Sequence, residues 1–383
     1  MEATKLFRDF FNSEKAGGLI LIFCTGISLI VANSPLGAGY HAFWQTQLAE
    51  HSIEHSVNDG LMTIFFLLIG LELEREIYQG ELSRIKDALL PIFGAIGGML
   101  LPAGIFLVFN YASPSRSGAG IPMATDIAFA LGVLSLLGNK VPTSLKVFLT
   151  ALAVIDDLGA ILVIAIFYTT TLALINLLVA LGIFGALLIL NRLKVRNLLP
   201  YLLGGVAMWY FMLHSGVHAT ITGVLLAFAI PFGDGGERSP SYILQHRLHK
   251  PVAFIILPLF ALANTAIHMT GNLGSVLAEN YSIGIMLGLI IGKPAGIFLL
   301  SFLATKLGLC KLPDELNWRM IVGVGFLGGI GFTMSIFITL LAFDAESTIN
   351  NAKLVILLGS LIAGGIGFLL LKRLIPGSSL KIP

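Results

Sequence analysis

Long apolar runs separated by short polar segments recur along the whole chain of 383 residues. An α-helix rises about 1.5 Å per residue, so about 20 apolar residues cross a hydrocarbon core about 30 Å thick. The runs therefore predict an all-α integral membrane protein with twelve transmembrane helices. These helices are predicted over residues 16–33, 60–71, 88–110, 121–137, 147–168, 173–191, 199–213, 217–231, 251–271, 282–304, 320–343 and 354–371.

The remaining segments fit a single membrane domain. The run at 60–71 is too short to cross alone, so we expect it to continue into the charged stretch from Glu72 to Arg84 as one longer helix. The first run is longer than the apolar core of a signal peptide, which predicts an uncleaved first helix. The longest loops, Ser34 to Asp59 and Phe232 to Lys250, are too short for a soluble domain, so residues 1–383 are predicted to form one domain.

The placement of charge indicates the orientation of these helices. Only 11% of the residues are charged, whereas soluble proteins contain about 25%. With the N-terminus in the cytoplasm, 20 of the 23 lysines and arginines lie in cytoplasmic segments; Arg116 and Lys353 lie on the other side, and Lys293 lies inside a helix. This asymmetry follows the positive-inside rule, and an even number of helices then predicts that both termini are cytoplasmic.

Neither the cysteines nor the net charge indicates a further binding partner for this chain. Cys24 lies in a predicted helix and Cys310 in a cytoplasmic loop, so this pair indicates neither a disulfide nor a metal site. The net charge of +2 follows from the loop topology and indicates no nucleic-acid partner.

Three charged residues fall in the middle of predicted helices. Asp156 and Asp157 are the tenth and eleventh residues of Val147 to Tyr168, and Lys293 is the twelfth of 23 residues in 282–304. A charge at this depth costs at least about 3 kcal/mol, so such residues usually face a wet cavity, a partner or a permeating ion. The alternative for the aspartates is a pair that only packs helices together.

Two predicted helices contain residues that interrupt helical structure. The fourth holds Pro122, Thr125 and Asp126 within apolar sequence. Glycine lets the backbone leave helical geometry, and freed peptide groups survive at membrane depth only when they line a cavity or are buried in protein. Glycine also serves close helix packing, so both interpretations of the eleventh helix stay open. The glycines of the eleventh helix are Gly325, Gly328, Gly329 and Gly331, and the polar residues Thr333 and Ser335 follow them.

The interruptions are placed alike in two three-helix units, approximately 88–168 and 282–371. Each unit has an interrupted middle helix and a buried charge in an outer helix. Equivalent helices are separated by an odd number of spans, so the units would insert with opposite orientations. Paired interrupted helices of this kind indicate the midplane binding site of a transporter, and we predict that helices 4 and 11 cross there.

Six stretches in succession resemble the NhaA family of bacterial sodium/proton antiporters, and further similarity at 57–62 and 70–76 extends the resemblance over nearly the whole chain. The six stretches are ATDIAFALG (124–132), VIDDLGA (154–160), SGVHAT (215–220), LPLFALANT (257–265), GKPAGI (292–297) and GIGFTMSIFI (329–338). The resemblance implies a pH-regulated, electrogenic antiporter of the bacterial inner membrane that exports Na⁺, and Li⁺, in exchange for H⁺ by alternating access. It implies no cofactor. Dimers of the family use an external hairpin after the first helix, which would lie in 34–59 here.

The resemblance also assigns roles to the buried residues. It implies that Asp157 is the main Na⁺ ligand, that Asp156 assists and pairs with Lys293 when the ion is absent, and that Asp126 with Thr125 lies where the broken helices cross. The chemistry agrees, because hard cations take oxygen ligands and burial raises the pKa of carboxyl groups, so that protons compete with the ion. Lys293 has two open interpretations, a structural counter-ion or a proton carrier.

Residues nearer the membrane surfaces are candidates for ion entry and pH response. Asp59 is a candidate acid of an external funnel, or alternatively a helix N-cap. His218 could tune the pH response, or it could be an ordinary histidine with its hydrogen bonds satisfied.

On the cytoplasmic side, Glu72 and Glu76 resemble the family's funnel, and His246 and His249 occupy positions associated with pH sensing. Histidine titrates near neutral pH, which suits such a role. Better-known family members carry an acidic residue just before the first of these histidines, whereas this chain has Gln245. We therefore expect no nearby anion for these histidines and a shifted or shallower pH response. The alternative is a plain solvated loop.

Three other functions can be compared with that of an antiporter by asking which residues each would need. An intramembrane aspartyl protease would need a Gly-x-Gly-Asp signature, but Asp126 follows Met-Ala-Thr and Asp157 follows Val-Ile-Asp. A passive channel would need rings of carbonyls or charges rather than carboxylates that compete for protons. A symporter could use the same residues, and only transport measurements separate it from an antiporter.

Overall fold

The fold is described from a computed structural model that covers residues 2–48, 51–169, 172–268 and 272–375. Within these ranges, the side chains of residues 2–15, 81, 85, 87 and 139 are not described. Residues 269–271 of the ninth predicted helix and Lys381 of the predicted cytoplasmic C-terminus lie outside the described residues.

The described residues are mostly helical. The α-helices are numbered α1 to α18 in chain order. The helices are α1 Glu2–Ala32, α2 Gly37–Gln45, α3 Ile53–Ser56, α4 Met62–Tyr78, α5 Ile85–Asn110, α6 Ile127–Ser135, α7 Thr143–Phe167, α8 Leu174–Arg192, α9 Leu199–Leu213, α10 Ile221–Ala229, α11 Pro240–Pro251, α12 Leu257–Asn264, α13 Leu273–Ala278, α14 Asn280–Leu287, α15 Lys293–Lys306, α16 Trp318–Gly328, α17 Phe332–Ala342 and α18 Glu346–Leu374.

Short segments of other geometry connect some of these helices. Wider π-turns at Val57–Leu61, Val252–Ile256 and Gly288–Gly292 join α3 to α4, α11 to α12 and α14 to α15. A 3₁₀ segment, Pro114–Met123, precedes α6. Two further 3₁₀ turns cover Glu81–Ser83 and Gly138–Lys140. The strands β1 Gln47–Leu48 and β2 His51–Ser52 pair antiparallel and form a small hairpin.

Seven helical stretches in the described residues are long and apolar enough to cross a membrane, or up to nine if each of two bent pairs counts as one crossing. The pair α16 and α17 bends by 49°, and residues 16–32 bend by 114° against α2. The predicted helices at 199–213, 217–231 and 251–271 correspond to the shorter helices α9, α10 and α12. The total of twelve crossings therefore stays a prediction.

The helix boundaries differ from the sequence-based expectation at two places. Helix α4 continues past residue 71 into the charged stretch, as predicted, but it ends at Tyr78 rather than Arg84, because the chain turns at Gly80. The segment 232–250, predicted as a loop, contains α11. The Ser239 side chain caps this helix by accepting a hydrogen bond from the backbone N–H of Tyr242, which satisfies an otherwise free donor of the first turn.

Two pairs of helices pack backbone to backbone through glycines. A Cβ atom at Gly97 of α5 would overlap the carbonyl oxygen of Gly296 of α15, and a Cβ atom at Gly296 would overlap that of Gly97. Helices α4 and α10 meet similarly, since a Cβ atom at Gly223 would overlap the carbonyl oxygen of Thr63. Small residues allow this approach. The first pair places α15, and with it Lys293, beside α5.

Candidate ion-binding site at two helix interruptions

The site is built where two helices are interrupted side by side. The 3₁₀ segment ends at Met123, the next residues are extended, and α6 begins only at Ile127. Helix α16 ends at Gly328 and α17 begins at Phe332. The two interruptions are joined directly, because the backbone N–H of Asp126 donates to the carbonyl oxygen of Ile330 at 2.7 Å.

Asp126 caps the helices that begin after both interruptions. Its Oδ1 accepts from the N–H of Phe129 in α6 at 2.9 Å. Its Oδ2 accepts from the N–H and hydroxyl of Thr333 in α17, at 3.1 and 2.6 Å. A carboxylate is favourable at the positive N-terminal end of a helix, and here one carboxylate serves two such ends.

Other freed backbone groups also find partners within the protein. The N–H groups of Gly331 and Phe332 lie 3.2 and 3.1 Å from the Ser360 hydroxyl of α18, which accepts from them. The Ser335 hydroxyl donates to the carbonyl oxygen of Ile121 at 2.7 Å. Irregular backbone in a membrane protein is stable only with such partners.

Asp156 and Lys293 form a fully buried ion pair. Nζ of Lys293 lies 2.6 Å from Oδ2 of Asp156, and neither side chain is exposed. The Thr125 hydroxyl lies 2.7 Å from the same Oδ2 and 2.8 Å from the carbonyl oxygen of Gly328. Lys293 also donates to the carbonyl oxygen of Met123, at the end of the 3₁₀ segment. The positive lysine thus lies where unpaired carbonyls make a helix end negative.

Asp157 stands apart from this network. It is 2% exposed, and its Oδ1 has no hydrogen-bond partner among the described residues. Oδ1 of Asp156 is likewise unpartnered there. Leaving buried polar atoms without partners is costly, so orphaned oxygens of this kind call for an explanation. Two adjacent carboxylates with free oxygens offer the type of ligand that a hard cation takes.

The glycines of the second interruption show both properties considered from the sequence. Residues 329–331 are not helical. At the same time a Cβ atom at Gly325 would lie 2.7 Å from Cα of Pro294, and one at Gly329 would overlap the carbonyl oxygen of Leu289. These glycines therefore bring the interrupted helix against the helix that carries Lys293.

The external candidates Asp59 and His218 each contact one other residue at short distance. Oδ2 of Asp59 lies 3.2 Å from Nε2 of His55. Asp59 is inside the π-turn and the cap of the preceding helix is Ser52, so the N-cap alternative is wrong. His218 precedes α10, and its Nε2 lies 3.0 Å from the carbonyl oxygen of Tyr168, which favours a histidine with a satisfied hydrogen bond.

The cytoplasmic candidates are partly brought together. Nδ1 of His249 on α11 lies 3.9 Å from Oε1 of Glu72 on α4. The expectation that this histidine lacks a nearby anion is therefore wrong, because α4 packs against α11 and supplies the carboxylate. His246 instead stacks on Tyr242, with ring centroids 6.1 Å apart. The Glu76 carboxylate lies against Gly80 at the end of α4.

Sequence reasoning missed several residues that support the site. Thr333 was noted only as a polar residue after the glycines, yet it donates to Asp126. Ser360 was not singled out, although a lone serine in an apolar helix is a recognisable signal. Asn58 and Asn264 are buried and joined by a 2.6 Å hydrogen bond between their side chains. Asn58 lies in the similar segment 57–62 and Asn264 in the stretch 257–265, but spacing alone does not pair them.

Known proteins match this chain over its full length. The family described as Na⁺/H⁺ antiporter 1 matches residues 8–371. A protein named Na⁺/H⁺ antiporter NhaA from Flavobacterium psychrophilum is 71% identical over 381 residues, covering 100% of this chain and 99% of that protein. One from Cytophaga hutchinsonii with the same name is 62% identical over 97% of this chain and 96% of its own length.

These relatives also decide between classes of protein. Proteins named as antiporters are transporters, so the aspartyl protease alternative is wrong. The extent of the family match, together with an apolar helical fold, also makes the chain a multi-pass membrane protein. The chain belongs to the NhaA family of Na⁺/H⁺ antiporters and is a transporter, not an enzyme.

Proposed function

We propose that this protein exports Na⁺, and Li⁺, across the bacterial inner membrane in exchange for H⁺. The observation that carries the proposal is Asp157, a buried carboxylate next to the Asp156–Lys293 ion pair, with one oxygen that has no hydrogen-bond partner among the described residues. Carboxylates hold a hard cation when ionised and a proton when neutral. One site can then carry either cargo, but not both at once.

The arrangement suggests different roles for the two aspartates. Neighbouring residues on a helix point about 100° apart, so Asp156 and Asp157 cannot share one partner symmetrically. Among the described residues Oδ1 of each aspartate lacks a partner, but Oδ2 of Asp156 already contacts Lys293 and Thr125, so Asp157 is the proposed first ligand of Na⁺. Asp156 contributes its free Oδ1, with Thr125 holding the opposite oxygen. Asp126 holds the two interruptions together, since both of its oxygens already accept hydrogen bonds from protein groups.

Lys293 completes the cycle in one of two ways. As a counter-ion it neutralises Asp156 while no Na⁺ is bound, and it keeps its proton throughout. As a carrier it loses its proton when Na⁺ displaces it, and it regains one from the other side of the membrane. Its contact with the carbonyl oxygen of Met123 serves the first role. The two roles predict different effects of a Lys293 substitution on the charge moved per cycle.

Transport proceeds by alternating access in this proposal. The predicted units 88–168 and 282–371 are inverted repeats within one domain, and helices 4 and 11 cross at the membrane midplane among twelve in total. The reciprocal contact of Gly97 and Gly296 supports this symmetry, because each glycine meets the same atom of the other. Motion of one part around the crossing would expose the aspartates to each side in turn.

The membrane potential drives export if more protons enter than sodium ions leave. Moving one charge across 100 mV is worth about 2.3 kcal/mol, so the exchange is proposed to be electrogenic. Both termini are cytoplasmic in this proposal. The hairpin of β1 and β2 is the proposed contact of a homodimer. The contact of Glu72 with His249 is the proposed centre of pH regulation.

The proposal is tested in everted membrane vesicles loaded with a pH-sensitive dye. Addition of Na⁺ or Li⁺ should release protons from the acidified lumen and dequench the dye, and Asp157→Asn should remove this response. A sodium flux without proton counterflow would indicate a channel. Protons that move in the same direction as Na⁺ would indicate a symporter. Either outcome would overturn the proposal.

A further inference from the structure

A large crevice lies between the first turns of α5 and α7 and the segment that follows α15. Its volume is about 790 Å³, and its lining includes Lys86 of α5, Thr143 of α7 and Lys311 of the following segment. Ligand pockets commonly occupy about 300–1,000 Å³. Asp126, Asp156 and Asp157 are not among the described residues that line the crevice, and the transport cycle proposed above does not use it.

The crevice is polar at its rim and apolar at its floor. Lys86, Thr143 and Lys311 are exposed. The floor is buried, with Leu90 and Phe148 each 4% exposed. A charged rim above an apolar floor matches the chemistry of a phospholipid, in which a charged phosphate is joined to hydrocarbon chains.

The rim carries an excess of positive charge. Two lysines line the crevice, and no aspartate or glutamate is among the described residues that line it. Glu315 lies at the same rim, where its Oε2 accepts a hydrogen bond from the Ser144 hydroxyl at 2.8 Å. Glu315 offsets one of the two lysines, so the described lining side chains and Glu315 together carry one net positive charge. The N-terminus of α7 begins at Thr143 and adds the positive end of a 25-residue helix.

We propose that this crevice binds one anionic phospholipid of the phosphatidylglycerol type. Lys86 and Lys311 hold its phosphate at the rim, and an acyl chain lies along the apolar lining at Val147 and Leu309, above the buried Leu90 and Phe148. Basic pockets between transmembrane helices are suited to anionic headgroups. A free phosphate ion would satisfy the lysines but would leave Leu309, which lines the crevice and is 50% exposed, uncovered. The lipid would contact α7, the helix that carries Asp156.

The test uses the full chain purified in detergent. Native mass spectrometry would follow retention of phosphatidylglycerol or phosphatidylcholine during a titration, and thermal unfolding would follow the accompanying stabilisation. The main variant is Lys86→Gln with Lys311→Gln. Its matched control is Arg192→Gln with Lys250→Gln, which removes two exposed positive charges away from the crevice. Inorganic phosphate is titrated in parallel.

The charge variant should bind phosphatidylglycerol about 30-fold more weakly, because each basic residue near an anionic headgroup contributes about fivefold in affinity. The control should bind like the unaltered chain. Equal retention of both lipids, or an equal loss in the charge variant and its control, would show that the crevice is not an anionic lipid site. Stabilisation by inorganic phosphate equal to that by the lipid would also overturn the proposal.

A second variant tests the floor without changing charge. Val147 lines the crevice, and Val147→Trp would fill part of it. This substitution should weaken phosphatidylglycerol retention while leaving the unfolding temperature of the lipid-free protein close to that of the unaltered chain. Unchanged lipid retention in a folded Val147→Trp protein would mean that no acyl chain occupies the crevice.

Discussion

Lys293 Nζ and Asp156 Oδ2 lie 2.6 Å apart at a point where neither side chain has any exposed surface. The two residues are 137 positions apart in the chain and are brought together by the packing of α5 between α7 and α15. Removing one member of a buried ion pair leaves the other charge without compensation, which costs about 3–5 kcal/mol.

The two residues should therefore be coupled in their effect on stability. We expect Asp156→Asn and Lys293→Leu each to lower the thermal unfolding midpoint in detergent, and the double variant to lower it by less than the sum. The matched control is the exposed pair His41 and Glu346, whose substitutions should add. Additive effects at Asp156 and Lys293 would contradict the pairing.

Loss of the Asp157 carboxylate should abolish Na⁺/H⁺ exchange. Asp157→Asn removes both the proton that is released and the charge that offsets dehydration of Na⁺, so dye dequenching in everted vesicles should disappear while protein insertion is unchanged. Asp344→Asn makes the same chemical change at an exposed position and should leave exchange intact. Normal exchange by the Asp157 variant would show that Asp157 is not the main Na⁺ ligand.

Asp126 should matter for stability through two helix caps at once. A lost cap costs typically about 1 kcal/mol, so Asp126→Ala should destabilise the protein by at least about 2 kcal/mol. Ser239→Ala, which removes the single side-chain cap of α11, should have about half that effect. Unfolding midpoints of both variants in detergent give the comparison. Equal effects would mean that only one of the caps formed by Asp126 contributes.

The role of Lys293 can be read from the charge moved per cycle. If the lysine carries a proton, Lys293→Gln should remove one proton from the stoichiometry, and exchange should lose its dependence on membrane potential. If the lysine is a counter-ion, the remaining activity should stay electrogenic. The measurement is Na⁺-driven exchange in proteoliposomes with and without a potassium diffusion potential set by valinomycin.

Gln245 offers a test of the pH response. It precedes His249 by one helical turn on α11, so a glutamate there would face the histidine in addition to Glu72. A second carboxylate favours the charged imidazolium to higher pH. Gln245→Glu should therefore move the pH midpoint of exchange upward or steepen its onset, and Glu72→Gln should have the opposite effect. Unchanged profiles in both variants would show that this contact is not the sensor.

Much of the site could be predicted because charge at membrane depth is rare. Asp156, Asp157 and Lys293 stand out in apolar sequence, and the structure joins two of them directly. The partners of Asp126 could not be predicted, since Thr333 is 207 positions away and meets it only through two interruptions. Backbone acceptors such as the Met123 carbonyl have no signature in the sequence at all.

The helices outside the site were predicted less well for a different reason. Apolar periodicity defines long crossings such as α5 and α7, but it overestimates 217–231, where only Ile221–Ala229 is helical. It also misses α11, whose polar composition resembles that of a loop. The end of α11 lies close to α4 because of tertiary packing. The same packing places the Glu72 carboxylate beside His249, which was not expected from the sequence.

Gly97 and Gly296 leave no side chain between α5 and α15, and Leu101 and Leu300 close in directly beside them. Because the two backbones touch at this point, we expect α5 and α15 to move together. Lys293, the first residue of α15, would move with them. Under the alternating access proposed above, a movement that opens the site would then shift the aspartates of α7 relative to α5 and α15. The ion pair would separate by displacement of Asp156, while Lys293 keeps its place beside α5.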